Sequence, residues 1–197
     1  AVPGVTAVGS IRDLPLRGTG ESFRPGGSGG AVRAGEGPVT EVHHISTGYF
    51  KAMGIRLLAG RTFTNDEAVT PNSNVVISRG AAEKLWPGAN AVGQRIRPRF
   101  GGQDTLAFTV VGVDEDVNQN DWREAGESVV YFPLTGPTAR IWGMGSPACV
   151  VKSTRADNLQ REVRGLVRQL APEAPVYREY TMEFLARRSM IQLSFTM

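Results

Sequence analysis

The chain has 197 residues with 22 basic against 19 acidic side chains, and a net charge of +3 is too small to supply the basic field that nucleic acid requires. Hydrophobic residues make up 41%, enough for a core that buries about 70% of the unfolded surface in one large domain or two small interleaved ones. The single cysteine, Cys149, excludes an internal disulfide framework and a thiolate-rich metal site, and no apolar run is long enough to span a bilayer.

In chain order, Val5 to Ile11 alternates small and apolar residues and predicts a first strand that leaves through a turn at Asp13-Leu14-Pro15. Residues 18–38 are glycine-rich and read as a mobile loop. They do not form a phosphate cradle, because no Lys-Ser or Lys-Thr follows the glycines and no apolar helix opens behind them. Val39 to Ile45 predicts a second strand. A short helix follows, capped by Ser46 or Thr47, with Tyr49, Phe50 and Met53 on one face and Gly54 as its stop. Ile55 to Phe63 reads as extended, and Asn65-Asp66-Glu67 as a turn away from it. Asn74 to Ile77 predicts a strand that runs into a helix at Ser78, carrying Ala81, Ala82, Leu85 and Trp86 before Pro87-Gly88 stops it.

Val92 to Ile96 and Phe108 to Val113 predict strands that pair across Gly101-Gly102, and Val129 to Pro133 predicts another. Ala148 to Val151 reads as a strand. Over residues 155–170, Leu159, Val163, Leu166, Val167 and Leu170 recur at helical spacing and predict a helix with a core-facing stripe. Pro172 and Pro175 end it, Val176 and Tyr177 start a last strand, and Thr181 caps a helix through Met182 and Leu185. The chain opens on Ala1-Val2-Pro3-Gly4-Val5 and stops inside a helical pattern at residues 190–197, which reads as a piece of a longer protein.

The candidate chemistry is sparse. Cys149, in the apolar run Ala148-Cys149-Val150-Val151, reads as buried filler rather than a nucleophile. His43 and His44 are adjacent on a strand, point to opposite faces and cannot share one metal. The run from Asp114 to Asp121 imitates the start of a calcium loop, but Gln119 stands where the turn needs glycine and Ala125 where a bidentate Glu belongs, so it reads as a solvated turn. Asp114 and Asp116 have no base, nucleophile or oxyanion donor beside them, and Ser10, Ser46 and Ser78 lack the Gly-x-Ser-x-Gly elbow. Arg155, Arg161, Arg164 and Arg168 read as a solvated helix face, while Trp86, Trp122 and Trp142 are too scattered for a base-stacking platform. The residues name no catalytic, cofactor-binding or metal site, and the chain reads as a non-enzyme.

A set of segments in fixed order carries a resemblance. Pro3-Gly4-Val5, Thr47 to Ile55, Leu58-Ala59-Gly60-Arg61-Thr62-Phe63, Ala82 to Gly88, Val92-Gly93, Val110-Val111-Gly112-Val113 and Val130-Tyr131-Phe132-Pro133 resemble the MacB-like periplasmic core domain of ABC transporter permeases, within the MacB/FtsX superfamily. The Leu85-Trp86-Pro87-Gly88 and Val111-Gly112-Val113 segments are most similar to acidobacterial-type permeases that carry two such domains.

The resemblance implies a two-lobed α+β fold across residues 1–197. A mixed α/β, porter-like lobe would come from 1–64 and 145–197, and an inserted, mainly β, sabre-like lobe from 65–144. It implies a domain in the periplasm or extracytoplasmic space of an inner-membrane protein, with transmembrane helices before residue 1 and after residue 197. Cytoplasmic ATP hydrolysis, in a separate ABC ATPase subunit or domain, would be coupled through those helices to substrate or partner handling, as efflux or mechanotransmission. The helix at 155–170 and the segment 181–197 would be the rigid coupling elements. A periplasmic adaptor or a substrate is the implied partner, with no nucleic acid and no cofactor. The long glycine loop departs from the macrolide exporter of the family, so no partner-contact residue transfers. A stand-alone extracytoplasmic ligand- or protein-binding module, with the 18–38 loop as its contact, is the competing expectation, and a secreted enzyme depending on Asp114 or Asp116 a third.

Overall fold

A computed structural model describes residues 2–12, 21–27, 32–33, 35–69, 73–97, 107–117, 128–134, 147–155 and 159–194. The first strand, β1 (Val5–Ile11), is followed by two short ones, β2 (Ser22–Phe23) and β3 (Gly26–Gly27), then β4 (Thr40–Ile45), helix α1 (Tyr49–Met53) and β5 (Leu57–Gly60). Next come α2 (Asn65–Val69), β6 (Asn74–Ser78), α3 (Arg79–Leu85), β7 (Arg95–Arg97), β8 (Phe108–Asp114) and β9 (Val129–Pro133). The chain continues through β10 (Ala148–Ser153), α4 (Leu159–Leu170) and α5 (Met182–Ser194). The fold is α+β with one mixed sheet. Its described strands run in the order β10-β1-β4-β9-β6-β8-β7-β3, with β2 added to β4 and β5 to β8.

The pairing explains the apolar pattern. β4 and β9 are parallel, as are β6 and β8, and all four lie inside the sheet, so their residues are buried on both faces. On one face Val75, Ile77, Phe108, Val110, Val130 and Phe132 pack with Leu85 of α3 and Trp86 just beyond it. On the other, Ala7, Ile11, Val76, Val129, Tyr131 and Val150 pack with Tyr49, Phe50 and Ala52 of α1. The two cores share only the sheet between them.

Local chemistry starts and stops the helices. Ser78 caps α3, its Oγ accepting from Ala81 N–H at 3.2 Å, and Gly54 closes α1 in the left-handed conformation with φ 77°. The expected cap of α1 is corrected: Gly48 holds that position without a side-chain bond, Ser46 Oγ accepts from Ser10 N–H at 2.8 Å, and Thr47 Oγ1 bonds Asn65 Oδ1. Close approach explains the glycine, because a Cβ at Gly48 would overlap the Val8 carbonyl oxygen and one at Gly9 the Tyr49 backbone. α1 therefore lies directly on β1.

Four further expectations change. The turn at 65–67 is the start of α2, nucleated by a capping box in which Thr64 N–H donates to Glu67 Oε2 at 2.8 Å and Glu67 N–H to Thr64 Oγ1 at 3.2 Å. Part of the glycine loop is tied down: Phe23 is buried, β2 pairs with β4, and Gly26 and Gly27 pair with Arg97 and Ile96; residues 18–20, 28–31 and 34 lie outside the described set. The helix at 155–170 forms over Leu159–Leu170, yet none of its residues is buried, so its stripe is not core in this structure. Val176 and Tyr177 form no strand; both are exposed. The expected pairing with β8 forms, but its strand is Arg95–Arg97 rather than Val92 to Ile96, and its Gly101-Gly102 connection lies outside the described residues.

Candidate functional site

Asp114, at the end of β8, is the most perturbed titratable group. Its side chain is fully buried on the α1 face. Burial pushes its pKa up to about 8, and the neighbouring Asp116 and Glu115 charges push the same way, while its own backbone N–H and the Tyr131 side chain oppose them without forming a well-aligned hydrogen bond to either carboxyl oxygen. At neutral pH it is a protonated acid that interacts with the Tyr49 and Tyr131 side chains. Burial, and then the Asp114 charge, raise Tyr49 as well. The Phe50 and Tyr131 rings meet edge to face with centroids 5.0 Å apart, and Tyr49 lies 6.3 Å from Tyr131. This corrects the solvated-turn reading for Asp114, because β8 carries it beneath α1 before the chain leaves the sheet; positions 118–121 and 125 lie outside the described residues.

Asp116 is engaged elsewhere. Its Oδ2 accepts from Arg79 Nε and Nη2 at 3.0 and 2.9 Å, and its Oδ1 from Gly80 N–H at 2.7 Å. It anchors the first turn of α3, where the exposed peptide N–H groups favour an anion. The two aspartates are thus split between a neutral core acid and a helix anchor.

His43 and His44 occupy opposite faces as their spacing requires. His43 lies beside Tyr131, with ring centroids 5.9 Å apart, and His44 stacks on Phe132 at 5.6 Å. Among the described residues no group of three His, Cys, Asp or Glu side chains converges on a metal position. Ser78 Oγ accepts from both Ala81 and Val129 N–H, and Ser46 Oγ from Ser10 N–H, so these serines hold backbone. Cys149 is corrected from buried to exposed, because alternation along β10 turns Val150 inward and Cys149 out. Trp86 is buried against Gly27, and Trp122 and Trp142 lie outside the described residues.

The first and last strands of the described sheet are tied together. β1 and β10 pair antiparallel from Val5↔Ser153 to Ile11↔Ala148. Beyond that ladder, Thr154 N–H donates to the Gly4 carbonyl at 2.9 Å, Ser153 Oγ to the same oxygen at 3.1 Å, and Arg155 Nη1 to the Pro3 carbonyl at 3.4 Å. Arg155 also bonds Glu162 of α4 at 3.0 Å, and Arg164 bonds Glu179 at 2.9 Å. Two of the four arginines read as a solvated face are thus ion-paired; Arg161 and Arg168 remain exposed. Beyond residue 165 lie most of the exposed large apolar side chains: Leu166, Leu170, Val176, Tyr177, Met182 and Phe184.

One cluster that sequence reading missed surrounds Glu67, which accepts from both Arg61 Nη atoms at 2.7 and 2.8 Å and from Asn74 Nδ2. The Arg61 hydrogen bonds lower its carboxyl to about 2 despite partial burial. The Thr64-x-x-Glu67 spacing was the available signal.

Among the described residues no helix is long and apolar enough to cross a membrane. Comparison with known proteins gives a consistent picture. The chain is similar to the periplasmic region of MacB from Actinobacillus actinomycetemcomitans, with a TM-score of 0.58 at 20% identity over 87% of this chain and 68% of that one. It is also similar to the extracellular domain of the noncanonic ABC-type transporter YknZ from Gram-positive bacteria, with a TM-score of 0.60 at 20% identity over 92% and 84% of the two chains. No curated protein matches it. The family model for the MacB-like periplasmic core domain matches residues 2–170, the whole described sheet and α4, and the chain belongs to that family of ABC transporter permease domains.

Proposed function

We propose that this domain works as the extracytoplasmic lever of an ABC permease. Transmembrane helices on either side of it would transmit ATP hydrolysis in a separate cytoplasmic ABC ATPase into altered contact with a substrate or partner, as efflux or mechanotransmission. The observation that carries the reading is the junction at Pro3-Gly4 and Ser153-Thr154-Arg155, where the entering and returning strands are bonded side by side. A displacement applied at either strand passes to the other and into the sheet as a body. The periplasmic or extracellular location of the solved relatives supports placing the domain outside the inner membrane. The reading assigns it no turnover of its own.

The two-lobe division at 1–64 with 145–197 and at 65–144 belongs to the same proposal. Strand order supports it in part, since β10, β1 and β4 occupy one flank and β9, β6, β8 and β7 the other, while β3 and β5 of the 1–64 segment cross the division to pair with β7 and β8. The test is a pair of spin labels in the full-length permease with its ATPase, one at Lys152 and one at the membrane end of a flanking helix. ATP should shift their distance distribution. An unchanged distribution, or a parent gene without apolar spans of about 20 residues on both sides, overturns the proposal.

A further inference from the structure

Asp114 is the last rung of β8 on both sides, paired with Ser78 of β6 and with Leu57 of β5. Both of its carboxyl oxygens are buried, and neither has a hydrogen-bond partner among the described residues. The titratable groups that face it are Tyr49 of α1, whose hydroxyl is likewise buried without a partner, and Tyr131 of β9. Behind Tyr131 stands His43 of β4, with the ring centroids 5.9 Å apart and Glu41 Oε2 3.5 Å from the imidazole Nε2.

The next two residues are tied to different elements. Glu115 N–H donates to the Arg56 carbonyl at 2.9 Å, Glu115 Oε1 accepts from Arg56 N–H at 2.9 Å, and Oε2 lies 3.4 Å from Arg56 Nη2, just ahead of β5. Asp116 Oδ1 accepts from Gly80 N–H at 2.7 Å and Oδ2 from Arg79 Nη2 at 2.9 Å, at the start of α3. Three consecutive carboxyl side chains therefore reach the α1 core, the start of β5 and the start of α3. Neighbouring residues of an extended chain are only about 3.3 Å apart, so Asp114 cannot be carried to water without dragging both ties. The neutral acid can stay buried; an ionised carboxylate with no partner pays a desolvation cost that favours its expulsion.

We propose that Asp114 to Asp116 form a proton-held latch: while Asp114 carries its proton the corner is closed, and loss of that proton peels the end of β8 from the sheet and frees Arg56 and Gly80 from it. The inner rungs from Thr109 to Val113 stay in place, as does Ser78, which is held by Ala81 and Val129. Opening at this corner is thus a local event that leaves both cores assembled. The latch goes beyond the lever reading and does not depend on it.

The latch bonds supply their own reporters, the Arg56, Gly80 and Glu115 amides. The controls are the Val129 amide, bonded to Ser78 Oγ, and the Val110 amide, bonded to the Gln94 carbonyl. Hydrogen exchange of the 197-residue chain is followed by NMR from about pH 5 to 9 and in low urea, with each rate divided by that of the free amide. Because opening releases the Asp114 proton, protection of the three reporters should fall by up to about tenfold per pH unit as pH rises toward 8 and level off beyond it. It should also lie below that of the controls and barely respond to urea, since little surface is exposed, whereas Val129 and Val110 should follow urea as global unfolding does. Asp114→Asn should flatten the pH dependence of the reporters. Reporters that track the controls in urea, reporters that are flat in pH, or an Asp114→Asn chain that keeps the slope would overturn the proposal; if that variant does not fold, the wild-type series alone decides. The readout needs no membrane or ATPase, so its failure leaves the lever reading standing.

Discussion

Replacing Asp114 with Asn tests whether a neutral acid sits in the core. The folded carboxyl titrates near 8 and an unfolded one near 4, so between those values folding must take up a proton. At pH 7 that uptake costs about 1.4 kcal/mol for each of about three pH units, roughly 4 kcal/mol. Asn is nearly isosteric and needs no proton, but its amide must still be accommodated beside Tyr49 and Tyr131. A net gain of about 2–3 kcal/mol at pH 7 is expected. The sign follows from linkage: the raised carboxyl contributes most below pH 4, and its contribution is lost as pH rises from 4 toward 8. Urea unfolding from pH 4 to pH 9 should show wild-type stability falling by up to about 1.4 kcal/mol per pH unit relative to the variant across that window, with the two converging in acid. Parallel pH profiles would refute the reasoning.

Glu67 titrates in the opposite sense, since its pairing with Arg61 adds stability above the unfolded value of 4.5 that is lost as pH falls toward 2; Glu67→Gln should remove this acid-side loss in the same measurement. Thr64→Ala removes one half of the capping box and should lower stability by about 1 kcal/mol in urea. Gly9→Ala drives a methyl into the Tyr49 backbone and should cost about 3 kcal/mol or more, seen as a lower melting temperature with a shifted aromatic circular dichroism signal. Phe23→Ala should cost about 3 kcal/mol if residues 22–27 are structural, whereas Leu166→Ala should stay within about 1 kcal/mol because α4 is uncovered. Reversal of that order would restore the mobile-loop and core-helix readings.

Much of this fold was legible because its signals are local. Alternation placed β1, short apolar runs placed β8, β9 and β10, Ser78 announced its helix, Gly54 its stop, and the adjacent histidines had to part across the sheet. The ordered tetrapeptides sufficed for the family, and the Thr64-x-x-Glu67 box was equally local but read as a turn. Periodicity also found α4, but a stripe states only that a helix has an apolar side, and the surface it meets is set by residues far away in sequence.

The sequence by itself thus determined most of the segments that extend or coil and which family the chain joins, since both depend on side-chain order along the backbone. Only the tertiary structure decided that Asp114 is a neutral core acid while Asp116 is bonded to Arg79 and the first turn of α3, and that Cys149 faces out beside an inward Val150. Desolvation and strand pairing are properties of what surrounds a residue, and those surroundings are assembled from elements separated by most of the chain.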